Sequence, residues 1–336
     1  MSGGMGDDMG DDMGDGGRTG PRAGSGSGRA AAGSPRLSLV LAVQGGQENL
    51  DEILAALPPR PGAVEILLCH AADDPLPPGL TGRTDLRIVT GAADALIPEL
   101  WRDGIRAARG AWLATLTAHC PPAPDWLDRA LDLTGAAPAD RAAIGGPILM
   151  PAGADRVARA VHLLRYAGAA PPPAPRPVTD LSADNALYRR GPVLDCADLL
   201  EEGFWEPAFH RRFLARGLNL ELRPDLAVLH RNRYSARGFL RQRRRHGRVF
   251  GRHRAAAARP AVRVAMLLAA PAAFPVFALK QTRRILARPA LRADLPGAAG
   301  WLYLFMAGWC WGEAQGYADA VFAPRRRAAR PEGAAG

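Results

Sequence analysis

Two pairs of side chains with metal-binding chemistry open the functional reading. Cys69-His70 and His119-Cys120 each set a thiol beside an imidazole. Both pairs follow short apolar runs, so both fall at the carboxyl ends of strands in one sheet, where thiolate and imidazole could share a soft metal such as zinc. No close ligand spacing accompanies them. The four cysteines, Cys196 and Cys310 included, are far apart and give no CxxC. The pairs therefore read as two apolar Cys near strand ends and two polar His facing a cleft. That cysteine pattern gives no disulfide framework and makes a reducing compartment the easier setting.

Carboxylates and arginines carry the remaining chemistry. Glu206 opens a helical pattern that closes at Gly217, a first-turn position that the helix dipole favours for an acid. Asp184-Asn185 reads as a pair of turn residues. Between Arg231 and Arg259 there are 11 arginines and no acid, although the whole chain carries a formal charge of +10. The rest of the chain is therefore nearly neutral. Lys280 is the only lysine in a chain rich in Ala, Gly and Pro, so coding bias weakens any argument from arginine count alone. Phe239, Leu240, Val249 and Phe250 fall on one helical face of the basic segment. Its arginine face suits anionic lipid headgroups, at about 1 kcal/mol per residue near the surface. A solvated basic helix is the plainer reading. Nucleic acid ranks lower, because aromatic interleaving is sparse and no nucleic-acid fold signature is present.

The elements that must position these residues follow from the apolar pattern. The chain has 336 residues, of which 48% are hydrophobic, so it is neither wholly disordered nor collagen-like. Residues 1–36 repeat Gly-Asp-Asp-Met and then turn to Gly, Ser, Arg and Ala. They read as a disordered tail without the apolar core of a signal peptide. Leu37–Val43, Val64–Cys69, Leu86–Thr90 and Trp112–Leu116 read as strands. Helical spacing over Asn49–Leu57, 95–109 and Asp125–Leu133 alternates with them. That order implies βαβ units and a mainly parallel α/β sheet, with ligands beyond the carboxyl ends of its strands. Residues 168–178 read as a loop, 206–216 as a helix, and Leu218–Leu222 and Ala227–His230 as further short apolar runs.

The C-terminal part changes character. Val264–Leu279 and Gly297–Gly312 are apolar runs of about 16 residues, under the roughly 20 needed to span a bilayer. Pro271 and Pro275 argue against a simple straight span. Arginines bracket both runs, and Trp301, Trp309 and Trp311 lie in the second. The pair reads as interfacial or re-entrant membrane segments, with buried helices of a soluble domain as the alternative. The expected organisation is thus a tail (1–36), an α/β domain (37–230), a basic amphipathic segment (231–260), a hydrophobic helical region (261–323) and a second disordered tail (324–336).

An ordered set of segments over 37–230 resembles a family 2 glycosyltransferase with the GT-A fold. It comprises Glu65-Ile66-Leu67-Leu68-Cys69, Arg102-Asp103-Gly104-Ile105, Ala107-Ala108-Arg109-Gly110 with Trp112-Leu113-Ala114, Pro121-Pro122-Ala123-Pro124-Asp125-Trp126-Leu127, Gly145-Gly146, Asn185 with Arg189-Arg190, Gly203-Phe204-Trp205-Glu206 up to Gly217, then Pro224 and His230. Trp311-Gly312-Glu313 with Gly316-Tyr317 is similar to a segment of some membrane-associated members. The resemblance implies a GT-A, Rossmann-like, mainly parallel sheet flanked by helices. It implies a nucleotide-sugar donor, a divalent cation, Mn²⁺ or Mg²⁺, on Asp carboxylates, and a carboxylate base on the acceptor side. It places Glu206 as that base. Val43, Gln44, His70, Arg102, Thr117, His119, Asp184 and Asn185 fall on the donor side.

The sequence departs from the family pattern at both customary acidic positions. Thr117-Ala118-His119 stands where Asp-x-Asp is usual, and Cys69-His70-Ala71 where Asp-Asp follows the second strand, with Asp73-Asp74 a little later. Three readings stay open: metal held through His119, metal-independent catalysis with Arg or His balancing the diphosphate, or an inactive domain. The resemblance implies sugar transfer to a lipid-linked or cell-envelope acceptor at the cytoplasmic face of the inner membrane. The alternative is an inactive GT-A scaffold or nucleotide-binding protein.

Overall fold

The computed structural model describes residues 33–77, 80, 83–231, 234–256 and 258–322. Apart from 33–36, the tails expected at 1–36 and 324–336 lie outside the described residues. The chain divides into two compact units, Met1–Ala154 with Arg165–Arg233, and Asp155–Leu164 with Tyr234–Gly336.

The first unit alternates strands and helices: β1 (Leu37–Val43), α1 (Leu50–Ala55), β2 (Val64–Ala71), β3 (Leu86–Gly91), α2 (Ile97–Ala107), β4 (Trp112–Thr117), α3 (Trp126–Ala136), β5 (Arg141–Gly145) and β6 (Ile148–Leu149). After α4 (Arg156–Tyr166), whose last two residues belong here, come β7 (Arg176–Val178), β8 (Asn185–Arg189), α5 (Arg190–Leu194), α6 (Ala197–Leu200), α7 (Glu206–Ala215), β9 (Asn219–Leu222) and β10 (Val228–Leu229). Eight strands form one sheet in the order β3-β2-β1-β4-β8-β5-β9-β7, and β6 pairs with β10. Six of the eight share a direction, while β7 and β8 oppose them. This is the mixed, mostly parallel α/β sheet that the alternation implies.

Burial explains why β1 and β4 are mostly apolar, with only Ser38, Thr115 and Thr117 polar. Every residue of both is buried, because helices cover both faces of the sheet. Leu100, Trp101 and Ile105 of α2 pack with Phe209 and Phe213 of α7 on one face. Leu50 and Ile53 of α1 pack with Trp126 and Leu127 of α3 on the other. The register pairs Val43 with His70 and Ala42 with Thr117, so the carboxyl ends of β1, β2 and β4 lie level. Residues 168–178, expected as loop, include β7. It sits at the sheet edge antiparallel to β9, where Pro177 is tolerated.

The second unit holds α8 (Ala236–Ala256), α9 (Pro260–Leu286), α10 (Pro289–Arg292) and α11 (Leu295–Phe322). Its two long apolar helices have 27 and 28 residues, well beyond the 16-residue runs. Pro271 and Pro275 lie inside α9 without ending it. Their four-residue spacing puts both missing N–H donors on one face, and the opposite face keeps its hydrogen bonds. Glycines set the crossing of α8 and α11. A Cβ on Gly247 would lie 2.2 Å from the Trp309 carbonyl oxygen, and one on Gly312 only 2.0 Å from that of Arg244. Gly251 and Gly316 repeat the contact one turn on. Small residues at four-residue spacing on both helices thus let the backbones touch.

Candidate active site at the strand ends

β4 delivers Thr117 into a buried polar cluster. Its Oγ1 donates to Asp184 Oδ1 at 3.0 Å. Asp184, fully buried just before β8, also accepts from the Tyr166 hydroxyl at 3.0 Å, from Arg165 at 3.1 Å and from Ser182 Oγ at 3.3 Å. Burial alone would raise the Asp184 carboxyl. The Arg165 charge and the two hydroxyl bonds outweigh it and hold the group below the ordinary carboxylate value. Asp184 is therefore an ionised carboxylate matched to a buried guanidinium.

Two residues beyond Thr117, His119 packs against the turn that follows β1. Its Nε2–H donates to the Gln44 carbonyl at 3.2 Å. The ring occupies the space into which a side chain on Gly46 would project: a Cβ there would lie 2.8 Å from Nδ1, and Gly46 has φ of 77°. Burial, and then the Arg165 charge, push the His119 imidazole down to about 4, so it is neutral at physiological pH. The Gln44 side chain turns away to the Ala95 carbonyl, 3.0 Å, and Val43 is buried in the sheet.

The end of β2 braces the same turn. His70 Nδ1–H donates to the Asp74 carbonyl at 3.1 Å, and its Nε2 accepts from Thr90 Oγ1 at 3.0 Å. The Asp74 carboxylate accepts the Gly45 N–H at 2.9 Å and the Gln47 side-chain amide. Asp73 accepts the Asp94 N–H at 2.9 Å. Cys69 and Cys120 are buried thiols whose ionisation burial pushes up, Cys120 to about 12.

Asn185 and Arg102 have other partners. Asn185 donates to the Leu226 and Pro147 carbonyls at 2.7 and 3.2 Å and accepts the Trp126 indole N–H at 3.0 Å. These bonds pin the strand ends where Gly146 allows a close approach: a Cβ there would lie 1.6 Å from the Leu226 oxygen. Arg102, on α2, bonds Asp103 Oδ1 at 2.8 Å and the Glu201 carbonyl at 3.3 Å. It is not joined to the Asp184 cluster by any of these bonds.

Glu206 is the first residue of α7 and is 1% exposed. Its Oε2 has no hydrogen-bond partner. Burial first, with the Asp180 and Asp184 charges adding to it, pushes the carboxyl up to about 8. One turn along α7, His210 Nδ1–H donates to Asp180 Oδ1 at 2.6 Å, and its Nε2 accepts the buried Tyr188 hydroxyl at 3.1 Å. Asp180 is 39% exposed, so this chain of bonds runs from solvent to the core beneath Glu206's helix. Asp184 and Glu206 are thus two carboxyl groups driven in opposite directions by their surroundings, the pattern expected of groups with separate acid–base roles.

Sequence reasoning misses Arg165, Tyr166, Asp180, Tyr188 and His210. The four-residue spacing of Glu206 and His210 on one helix was a usable signal. Arg165 and Tyr166 close α4, in a stretch that carries no family-like segment.

These residues do not fit a divalent cation. Asp184 is already matched by Arg165 and three hydroxyls, and His119 turns Nε2 to a carbonyl. Among the described residues no group of three or more His, Cys, Asp or Glu is placed to hold a metal ion. The expectation of Mn²⁺ or Mg²⁺ through His119 therefore finds no ligand set here.

No protein-family model matches the sequence, and no curated protein matches it. Among solved structures the chain is similar to the mannosyltransferase PcManGT from Pyrobaculum calidifontis in complex with GDP-Man and Mn²⁺, at 16% identity over 87% of this chain and 76% of that one, with a TM-score of 0.43. It is also similar to S. aureus TarS 1–349 in complex with UDP-GlcNAc, at 11% identity over 60% of this chain and 59% of that one, with a TM-score of 0.44. At such identities and TM-scores neither likeness bears on donor, acceptor or activity.

Proposed function

We propose that this chain is a family 2-like, GT-A-fold glycosyltransferase that uses Glu206 as its base. The observation that carries the reading is the buried Glu206 carboxyl at the start of α7, with one oxygen unpartnered and its proton affinity raised. In the ionised form its Oε2 takes the proton of an acceptor hydroxyl as that oxygen bonds the anomeric carbon and the bond to the donor diphosphate breaks. A base must come within hydrogen-bond reach of the hydroxyl, so acceptor binding has to open a path to this side chain. Val43, Gln44, His70, Thr117, His119, Asp184 and Asn185 shape the donor side as a braced wall rather than a metal cradle. Arg102 would act there only from a distance, through α2.

The second unit supports a membrane setting. Among the described residues α9 is the one helix long and apolar enough to cross a bilayer, and only 6% of its apolar stretch is buried. Arg259 and Arg263 flank one end, and Lys280, Arg283 and Arg284 the other. Cationic flanks favour the anionic cytoplasmic leaflet, so the proposed acceptor is lipid-linked or a cell-envelope precursor.

A second reading, a non-catalytic fold that binds a nucleotide or partner, is favoured by the saturated bonding of Asp184. Calorimetry with UDP- and GDP-sugars, followed by turnover of any bound donor by wild type and Glu206→Gln, separates the two. Donor binding with turnover lost in the variant supports the transferase; binding without turnover in either supports the scaffold. No donor binding overturns the transferase reading.

A further inference from the structure

Along the seam of α8 and α11 lies a cleft of about 520 Å³. Arg241, Arg244, Arg245, Arg248 and Arg252 line it. Their spacing puts all five on one helix face. Like charges at that spacing repel, so the stripe carries an electrostatic cost.

Two features keep it in place. The glycine crossing locks the rotation of α8, since the Arg244 and Arg248 carbonyl oxygens press on Gly312 and Gly316. Side chains of α11 then aim three of the arginines. Arg248 reaches Asp319 at 2.7 and 2.9 Å, Arg252 reaches the same carboxylate at 2.7 Å, and Arg244 Nε donates to Gln315 Oε1 at 2.8 Å. Asp319 thus holds two of the five guanidinium groups, Arg248 and Arg252, on a concave surface that all five line. Guanidinium forks match phosphate oxygens two at a time, and several forks converging on one cleft suit a group carrying more than one negative charge.

We propose that the α8–α11 cleft is a binding site for a multiply charged phosphate group, a phosphomonoester or diphosphate, carried on a lipid headgroup or free in solution. The site is independent of the transferase reading, because none of its residues belongs to the strand-end cluster.

The test uses the full chain. Its binding is measured to phosphatidylcholine vesicles containing phosphatidic acid, to vesicles of equal surface charge containing phosphatidylglycerol, and to inorganic pyrophosphate. Arg241→Gln with Arg245→Gln alters the cleft. Arg237→Gln with Arg259→Gln removes the same charge outside it, and circular dichroism checks the fold of both. The expected result is preference for phosphatidic acid over phosphatidylglycerol, or pyrophosphate binding, weakened about tenfold or more by the cleft variant and less than about threefold by the control. Preference for phosphatidic acid without pyrophosphate binding assigns a lipid-borne phosphate; pyrophosphate binding without vesicle preference assigns a free one. Equal binding to both vesicles with no pyrophosphate binding, equal losses in the two variants, or no binding to any probe would overturn the site.

Discussion

Arg165 and Asp184 form an ion pair at 3.1 Å with side chains 2% and 0% exposed, directly behind the Thr117 hydroxyl at the end of β4. A charge this deep depends on its partner. Arg165→Met leaves the carboxylate uncompensated and is expected to destabilise the fold by about 3–5 kcal/mol. Adding Asp184→Asn keeps an acceptor for Thr117 and Tyr166 while removing the charge, and should recover most of that loss. Urea denaturation of the single and double variants measures it; equal stability of Arg165→Met and wild type would show that the pair is not what neutralises Asp184.

Glu206 makes stability depend on pH in a defined direction. Its folded value is about 8 against an ordinary 4.5, so between those values the folded chain holds a proton that the unfolded chain has released. Its contribution is complete below about pH 4.5 and is lost as pH rises toward 8, with a slope of about 1.4 kcal/mol per pH unit. Glu206→Gln removes this slope. Denaturation midpoints of both proteins across that window check the sign; parallel profiles would place the Glu206 carboxyl at an ordinary value.

The glycines of α11 divide into two kinds. Gly312→Val pushes a side chain into the Arg244 carbonyl and should cost more than the 1–3 kcal/mol typical of overpacking, at roughly 3 kcal/mol or above. Gly300 has open space at its Cβ position, and Gly300→Ala should stabilise the helix by about 0.5–1 kcal/mol. Thermal melts of the two variants should move in opposite directions, and a shared direction would contradict the packing.

Membrane affinity should reside in α9. Leu268 is 76% exposed, and Val276 is exposed as well. Leu268→Asp with Val276→Asp places two charges on the apolar helix, each opposed by about 2.5–3.5 kcal/mol at a bilayer centre. Partition to neutral phosphatidylcholine vesicles is expected to be lost. Unchanged partition would mean that α9 does not enter lipid.

How much of this was legible depends on how local each feature is. The run Leu37–Val43 is β1 residue for residue, because a strand covered on both faces is marked by apolar side chains at nearly every position, Ser38 alone excepted. The helical pattern over 206–216 starts at Glu206, and α7 begins there. Its burial and raised proton affinity were not legible, since tertiary packing first buries the carboxyl and then brings the Asp180 and Asp184 charges near it. Arg165 escaped notice because α4 shows only that a basic residue ends a helix; its match to Asp184 is set by the fold. The C-terminal runs stop at charged residues in sequence, whereas α9 continues through Arg263 and Arg284, which long cationic side chains permit at helix ends. The glycine spacing of α8 and α11 was present in the sequence all along, but one helix alone does not say which surface its glycines face.

The most direct test of the central claim is the pH dependence of sugar transfer or donor hydrolysis by wild type beside Glu206→Gln, with a nucleotide-sugar that calorimetry shows to bind. The value of kcat/KM is expected to rise with pH and level off above about 8. The variant should bind donor equally well and turn over about 10²–10⁴-fold more slowly. Undiminished turnover by Glu206→Gln, with donor bound, would contradict the assignment of Glu206 as the base.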